Sequence, residues 1–206
     1  MKCTKERFLE DVKDHKITVV KDDDVHRDIV FKSPESSTYM FGLTTWPGYL
    51  CISGNMGDYV FRRTFDMFDF FRSGKLNISE GYWNEKCTSI SRFGNGAEEF
   101  SYNKFKDYVR REFKDYIKDR FGYGQGTKKF GEEMRDIWQE VKDNLLSCDN
   151  EHDAIYALST FESDGLDFQD FWEVDFKEHT YHFIWCLYAI VWGIQQYDAL
   201  KIEEAA

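Results

Sequence analysis

Seven carboxylates fall within residues 162–178: Glu162, Asp164, Asp167, Asp170, Glu173, Asp175 and Glu178. Paired carboxylates can hold a divalent ion for phosphoryl chemistry. The spacing does not fit an EF-hand loop, which needs acid or amide groups at alternate positions closed by a Glu. A metal nuclease would also present a lysine close to its acids, and Lys177 is the sole cation between Lys142 and Lys201. The same segment interleaves the acids with Phe168, Phe171, Trp172, Val174 and Phe176. Aromatic rings supply binding energy and acids steer an approaching partner. The seven acids are therefore assigned to a partner-binding surface, with no catalytic residue, no metal ligand and no cofactor.

Other constellations carry less. His179 and His182 stand at an i, i+3 spacing and could join Asp175 or Glu178 on a metal. No HExxH pattern accompanies them, and half-buried histidines with ordinary hydrogen bonds are the preferred reading. Cys3, Cys51, Cys87, Cys148 and Cys186 are scattered and odd in number. That pattern suits reduced thiols packed as small apolar side chains, not a zinc site or a disulfide framework. The piece Phe121-Gly122-Tyr123-Gly124-Gln125-Gly126-Thr127 lacks the Lys-Ser/Thr ending of a phosphate loop and follows a helix, not a strand. A helix stop accounts for its glycines. No GxSxG elbow is present.

Charge is placed unevenly. The chain carries a formal −11, yet residues 131–206 hold 4 basic against 18 acidic groups, a local −14. Phosphates would be repelled there, so direct nucleic-acid binding is disfavoured and a cationic partner surface is favoured. Residues 101–121 form an amphipathic helix whose outer face mixes seven cations with four acids, which reads as a solvated face. The longest apolar stretch, Tyr181 to Ile194, is shorter than the roughly 20 residues a membrane span needs. It reads as a buried core helix. The N-terminus shows no apolar run after its first charges, so no secretory signal is expected there.

The elements that must position these residues follow from hydrophobic period. Residues 4–15 predict a short helix. Residues 17–63 alternate with period 2 and predict an antiparallel β-meander, with strands at 17–21, 25–32, 38–46, 49–53 and 58–63. Pro47-Gly48 and the Gly54 to Gly57 loop supply tight turns between neighbours, with Trp46 and Phe61 packing the sheet on helices. From residue 66 the period becomes 3.6. Helices are predicted at 66–72, from Asn77 or Ser79 to about 91, at 101–121, 128–147 and 151–162, and from Thr180 onward. The fold class is α+β: a single domain, 1–206, with the 17–63 sheet packed on a helical bundle from 66–202.

Two stretches carry a resemblance. Thr44-Thr45-Trp46-Pro47-Gly48-Tyr49-Leu50-Cys51-Ile52-Ser53-Gly54-Asn55-Met56-Gly57 precedes Asp66-Met67-Phe68-Asp69-Phe70-Phe71, and Trp185-Cys186-Leu187-Tyr188-Ala189-Ile190-Val191-Trp192-Gly193-Ile194-Gln195-Gln196-Tyr197-Asp198 comes later. Both resemble an uncharacterised family of proteins carried by tailed bacteriophages and prophages. The family brings no catalytic residues to carry over. It implies expression in the cytoplasm of an infected bacterium, and it points toward small phage proteins that disable a host defence enzyme. The expectation is a stoichiometric inhibitor, an anti-CRISPR protein that covers a basic surface of a host effector with its acidic C-terminal third. The alternative is a metal-dependent nuclease or nucleotide-processing phage enzyme. A self-pairing structural or regulatory phage protein is the third reading.

Overall fold

The computed structural model describes residues 2–90, 96–121 and 128–205. The protein is α+β, with an antiparallel sheet from the N-terminal part and helices predominating after it. It divides into two compact units, one built from residues 1–99 and 179–206, the other from residues 100–178.

The first unit holds six antiparallel strands in sequence order: β1 (Lys16–Asp23), β2 (His26–Ser33), β3 (Ser36–Trp46), β4 (Tyr49–Gly54), β5 (Tyr59–Arg62) and β6 (Cys87–Ile90). Five of them are the predicted meander. β6 is a correction. The helix predicted to run to about residue 91 stops after α3 (Glu80–Asn84), and the chain then pairs with β5. Thr88 and Ile90 suit a strand better than a helix, because β-branched side chains lose rotamer freedom on helices.

One sheet face is apolar and buried. Ile29, Phe31, Phe41, Leu43, Leu50, Ile52 and Phe61 meet the C-terminal helix α7 (Tyr181–Ala205) and the short helices α1 (Lys5–Val12) and α2 (Met67–Phe71) in one core. α7 buries eleven residues, which explains its lack of a polar stripe. Gly193 lets it approach closely: a Cβ there would stand 2.8 Å from Leu43 Cδ1 and 3.1 Å from Phe31 Cζ. Thr4 caps α1 by accepting from the Arg7 amide at 3.2 Å. The predicted packing of the sheet on helices from 66–202 thus holds for α2 and α7, α1 joins them in the same core, and Phe61 lies in it. Trp46 does not. It sits on the opposite face and remains 36% exposed, because the strand period of 2 sends it away from Thr45 and Leu43.

A buried ion cluster braces the same unit. Arg27 donates two 2.9 Å bonds to the Asp66 carboxylate, which also caps α2 by accepting from the Phe68 amide at 2.9 Å. The guanidinium lies 4.6 Å from the Phe68 ring centroid. Tyr197 and Lys201 of α7 both bond Asp22.

The second unit contains α4 (Tyr102–Phe121), α5 (Lys128–Val141) and α6 (Glu151–Thr160). The helix predicted at 128–147 changes to a π turn over Lys142–Leu146. The Gly122 to Thr127 segment lies outside the described residues. Phe105, Tyr108, Val109, Ile137, Val141, Leu145, Ala154 and Leu158 build a core of their own, joined by Leu166, Phe168 and Phe176. The bundle predicted under the sheet is therefore a separate core. Strands β7 (Glu98–Phe100) and β8 (Lys177–His179) form a small second sheet within the stretch predicted to be helical.

Candidate protein-docking surface

Residues 161–178 have little regular structure, yet their burial alternates with purpose. Leu166, Phe168 and Phe176 point into the helical core. Glu162, Asp164, Asp167, Asp170, Glu173 and Asp175 are exposed, and Glu178 is half-buried. Asp164 and Asp170 adopt positive φ, at 50° and 56°. Aspartate tolerates this conformation better than most residues. A one-turn 3-10 helix, Phe171–Glu173, lifts Trp172 into solvent, where 68% of its surface is exposed.

The segment is strapped along α4 and runs antiparallel to it. Arg120 bonds Asp164, with Nη2 at 2.9 Å from its carboxylate, and Tyr116 Oη donates to the Asp164 carbonyl at 2.9 Å. Two turns earlier on the helix, Tyr108 Oη donates to the Gln169 carbonyl at 3.3 Å. Lys104, near the helix start, stands 3.6 Å from Asp175 and also donates to the Lys177 carbonyl. The Ser101 amide donates to the Phe176 carbonyl at 2.7 Å. These residues were read as the apolar stripe and the solvated cations of one helix. Tyr108 and Tyr116, eight residues apart on that stripe, were the available signal: a tyrosine on a buried stripe brings a hydroxyl that needs a partner.

The electrostatics follow from this arrangement. The acidic third is shared between the units, because residues 131–178 hold 3 basic against 15 acidic groups and fall in the helical unit. Two of the seven predicted acids, Asp164 and Asp175, are ion-paired to α4. The hydrogen bond that Arg120 donates to Asp164 raises the Arg120 pKa, and burial pushes the Tyr108 hydroxyl up. Glu162 lines an open cleft of about 470 Å³ with Glu140, Asn144, Asp153, Tyr156 and Phe161.

The metal alternative gains no ligand set. Among the described residues, no group of three His, Cys, Asp or Glu side chains is gathered to hold an ion. His179 instead faces Glu98 at 3.7 Å and the Phe183 ring. Burial holds the Cys186 thiol well above its ordinary pKa and pushes Cys3 up to about 11, so neither is a ready nucleophile. Among the described residues, no helix is long and apolar enough to cross a membrane.

No protein-family model, curated protein or solved structure matches the chain.

Proposed function

We propose that the chain acts by binding, and that it is a phage-encoded stoichiometric inhibitor of a bacterial defence system, an anti-CRISPR protein working in the host cytoplasm. One observation carries the binding part: the strap presents six exposed carboxylates, two of them paired to α4, together with an exposed Trp172. Acids of one sign raise the association rate with a cationic surface, and a central tryptophan supplies contact area that water does not compete for well. The partner class comes from the resemblance to phage proteins.

The test uses the intact chain, immobilised and exposed to lysate of a bacterium that carries a CRISPR system. A defence effector should be retained in equimolar amount. The triple variant Asp167→Lys, Asp170→Lys, Glu173→Lys should cut retention by about tenfold or more. Trp172→Ala should cost a similar factor, about 1–2 kcal/mol. Retention indifferent to charge reversal would defeat the reading. So would metal-dependent nuclease turnover abolished by Asp167→Ala or Asp170→Ala.

A further inference from the structure

The outer face of the six-stranded sheet is the mirror case to the acidic strap. Register places Trp46 beside Tyr49, and Tyr49 beside Arg62, on the adjacent strands β3, β4 and β5. The Trp46 and Tyr49 rings stack at 5.2 Å with 14° between planes, and the Arg62 guanidinium lies 5.3 Å from the Tyr49 centroid. The row ends at the Pro47-Gly48 turn. There the Gly48 amide donates to the Phe65 carbonyl at 2.8 Å, the Arg63 amide donates to the Gly48 carbonyl at 3.2 Å, and the Phe65 side chain is 66% exposed.

Charge distinguishes this face from the rest of its unit. Arg7, Arg27 and Arg72 are each ion-paired. Arg62 and Arg63 have no carboxylate partner among the described residues, and neither do Lys16 and Lys32, which face each other across β1 and β2. Lys86, whose carbonyl receives the Arg62 amide, is taken up by Glu85 at 3.2 Å. Asp28 on this face accepts from Thr44 Oγ1 at 3.4 Å, and register places the exposed Asp23 opposite His26 on the same face. From the Trp46 row to the Lys32 row, six residues along a strand correspond to about 20 Å.

We infer that this face binds single-stranded nucleic acid, with a base stacked on the Trp46–Tyr49 pair and phosphates held by Arg62, Arg63 and Lys32. Rings on a sheet, here the exposed Trp46 beside the half-buried Tyr49, accept any base, and cations along the same face track the backbone. A duplex keeps its bases stacked inside and cannot use such a platform. The expectation against nucleic acid came from the local −14 of residues 131–206, and most of that excess lies in residues 131–178. Only the sheet register brings Trp46, Tyr49 and Arg62 into one row.

The test is fluorescence anisotropy of a labelled single-stranded oligothymidylate titrated with the full chain at low salt. A saturable rise is expected. Trp46→Ala should weaken it about tenfold or more. Arg62→Gln with Arg63→Gln should weaken it and lower the salt slope by about 1.4, the value for two phosphates on a single strand. Circular dichroism melts confirm that each variant folds, and the arginine pair keeps the test decisive should Trp46→Ala unfold. Absence of a rise, or a rise unchanged in folded variants, overturns the inference. Equal competition by a duplex of the same length would also overturn it, as would displacement of the oligonucleotide by oligoglutamate, which would assign the face to acidic peptides.

Discussion

In the sheet unit, α7 buries eleven residues against apolar strands, and the ring contacts of Phe8, Phe31, Phe41, Trp185 and Trp192 interlock. In the helical unit, residues 162–178 are fixed by three buried side chains plus single bonds from α4 to strap carbonyls and carboxylates. The first arrangement is set by area removed from water, which is insensitive to small displacements. The second is set by directional bonds at the surface, each of which adds little. A segment held this way keeps its carboxylates and Trp172 outward. It also opens locally at lower free energy than the sheet core does.

The largest expected effect is on the cores. Phe31→Ala should lower sheet-unit stability by about 3–5 kcal/mol, read from urea unfolding. Phe105→Ala should cost about as much in the helical unit, read from faster hydrogen exchange in α4, α5 and α6. A loss below about 1 kcal/mol at either site would show that the core named for it is loosely packed.

Next in size is the Arg27–Asp66 clamp. Burial favours the neutral acid, but Arg27 and the Phe68 amide outweigh it, so Asp66 titrates below its ordinary value. Asp22 does the same, with burial overcome by Lys201, Tyr197 and Arg27. A carboxylate with a depressed folded pKa adds stability above its unfolded pKa, and that stability disappears as pH falls through the folded one. The clamp is thus fully present at neutral pH and is lost below about pH 4. Asp66→Asn should destabilise by about 2–3 kcal/mol at pH 7 and flatten the acid limb of a stability–pH profile. An unchanged limb would rule the clamp out as a source of acid sensitivity.

The strap should respond least. Tyr116→Phe removes the bond to the Asp164 carbonyl and the one accepted from Arg120 Nη1, and about 0.5–1.5 kcal/mol of stability should go with them. Arg120→Ala adds less than about 1 kcal/mol, since the Asp164 pair is partly exposed. Both changes should speed proteolysis within 162–170 while leaving urea unfolding of the sheet unit in place. Equal effects in the two regions would erase the contrast between them.

Legibility in the sequence followed the same division. Strands β1 to β5 were readable because one face is buried and the other is not, which writes period 2 into residues such as Arg27, Ile29 and Phe31. α7 was readable as a core helix because nearly every side announces itself as apolar. β6 was not, since four residues give too short a run to show a period, and Ser79 looked like the start of a longer helix. Trp46 was misplaced because a large ring argues for burial until its neighbours Thr45 and Leu50 are seen on the other face. The division into two cores depends on contacts between distant residues, which no local pattern records. The seven acids were visible as a cluster, but their route along α4 was not. That route is set by Tyr108, Tyr116, Lys104 and Arg120, whose roles on a helix surface depend on what comes to rest beside them.

The order of elements along the chain has a consequence for biosynthesis. The helix that covers the apolar side of β1 to β5 leaves the ribosome only after all of residues 100–178. At about 5–20 residues per second, the nascent sheet waits several seconds for its cover. A transcript broken before the codon for Tyr181 would leave Phe31, Phe41, Leu43 and Phe61 open to chaperones and to one another.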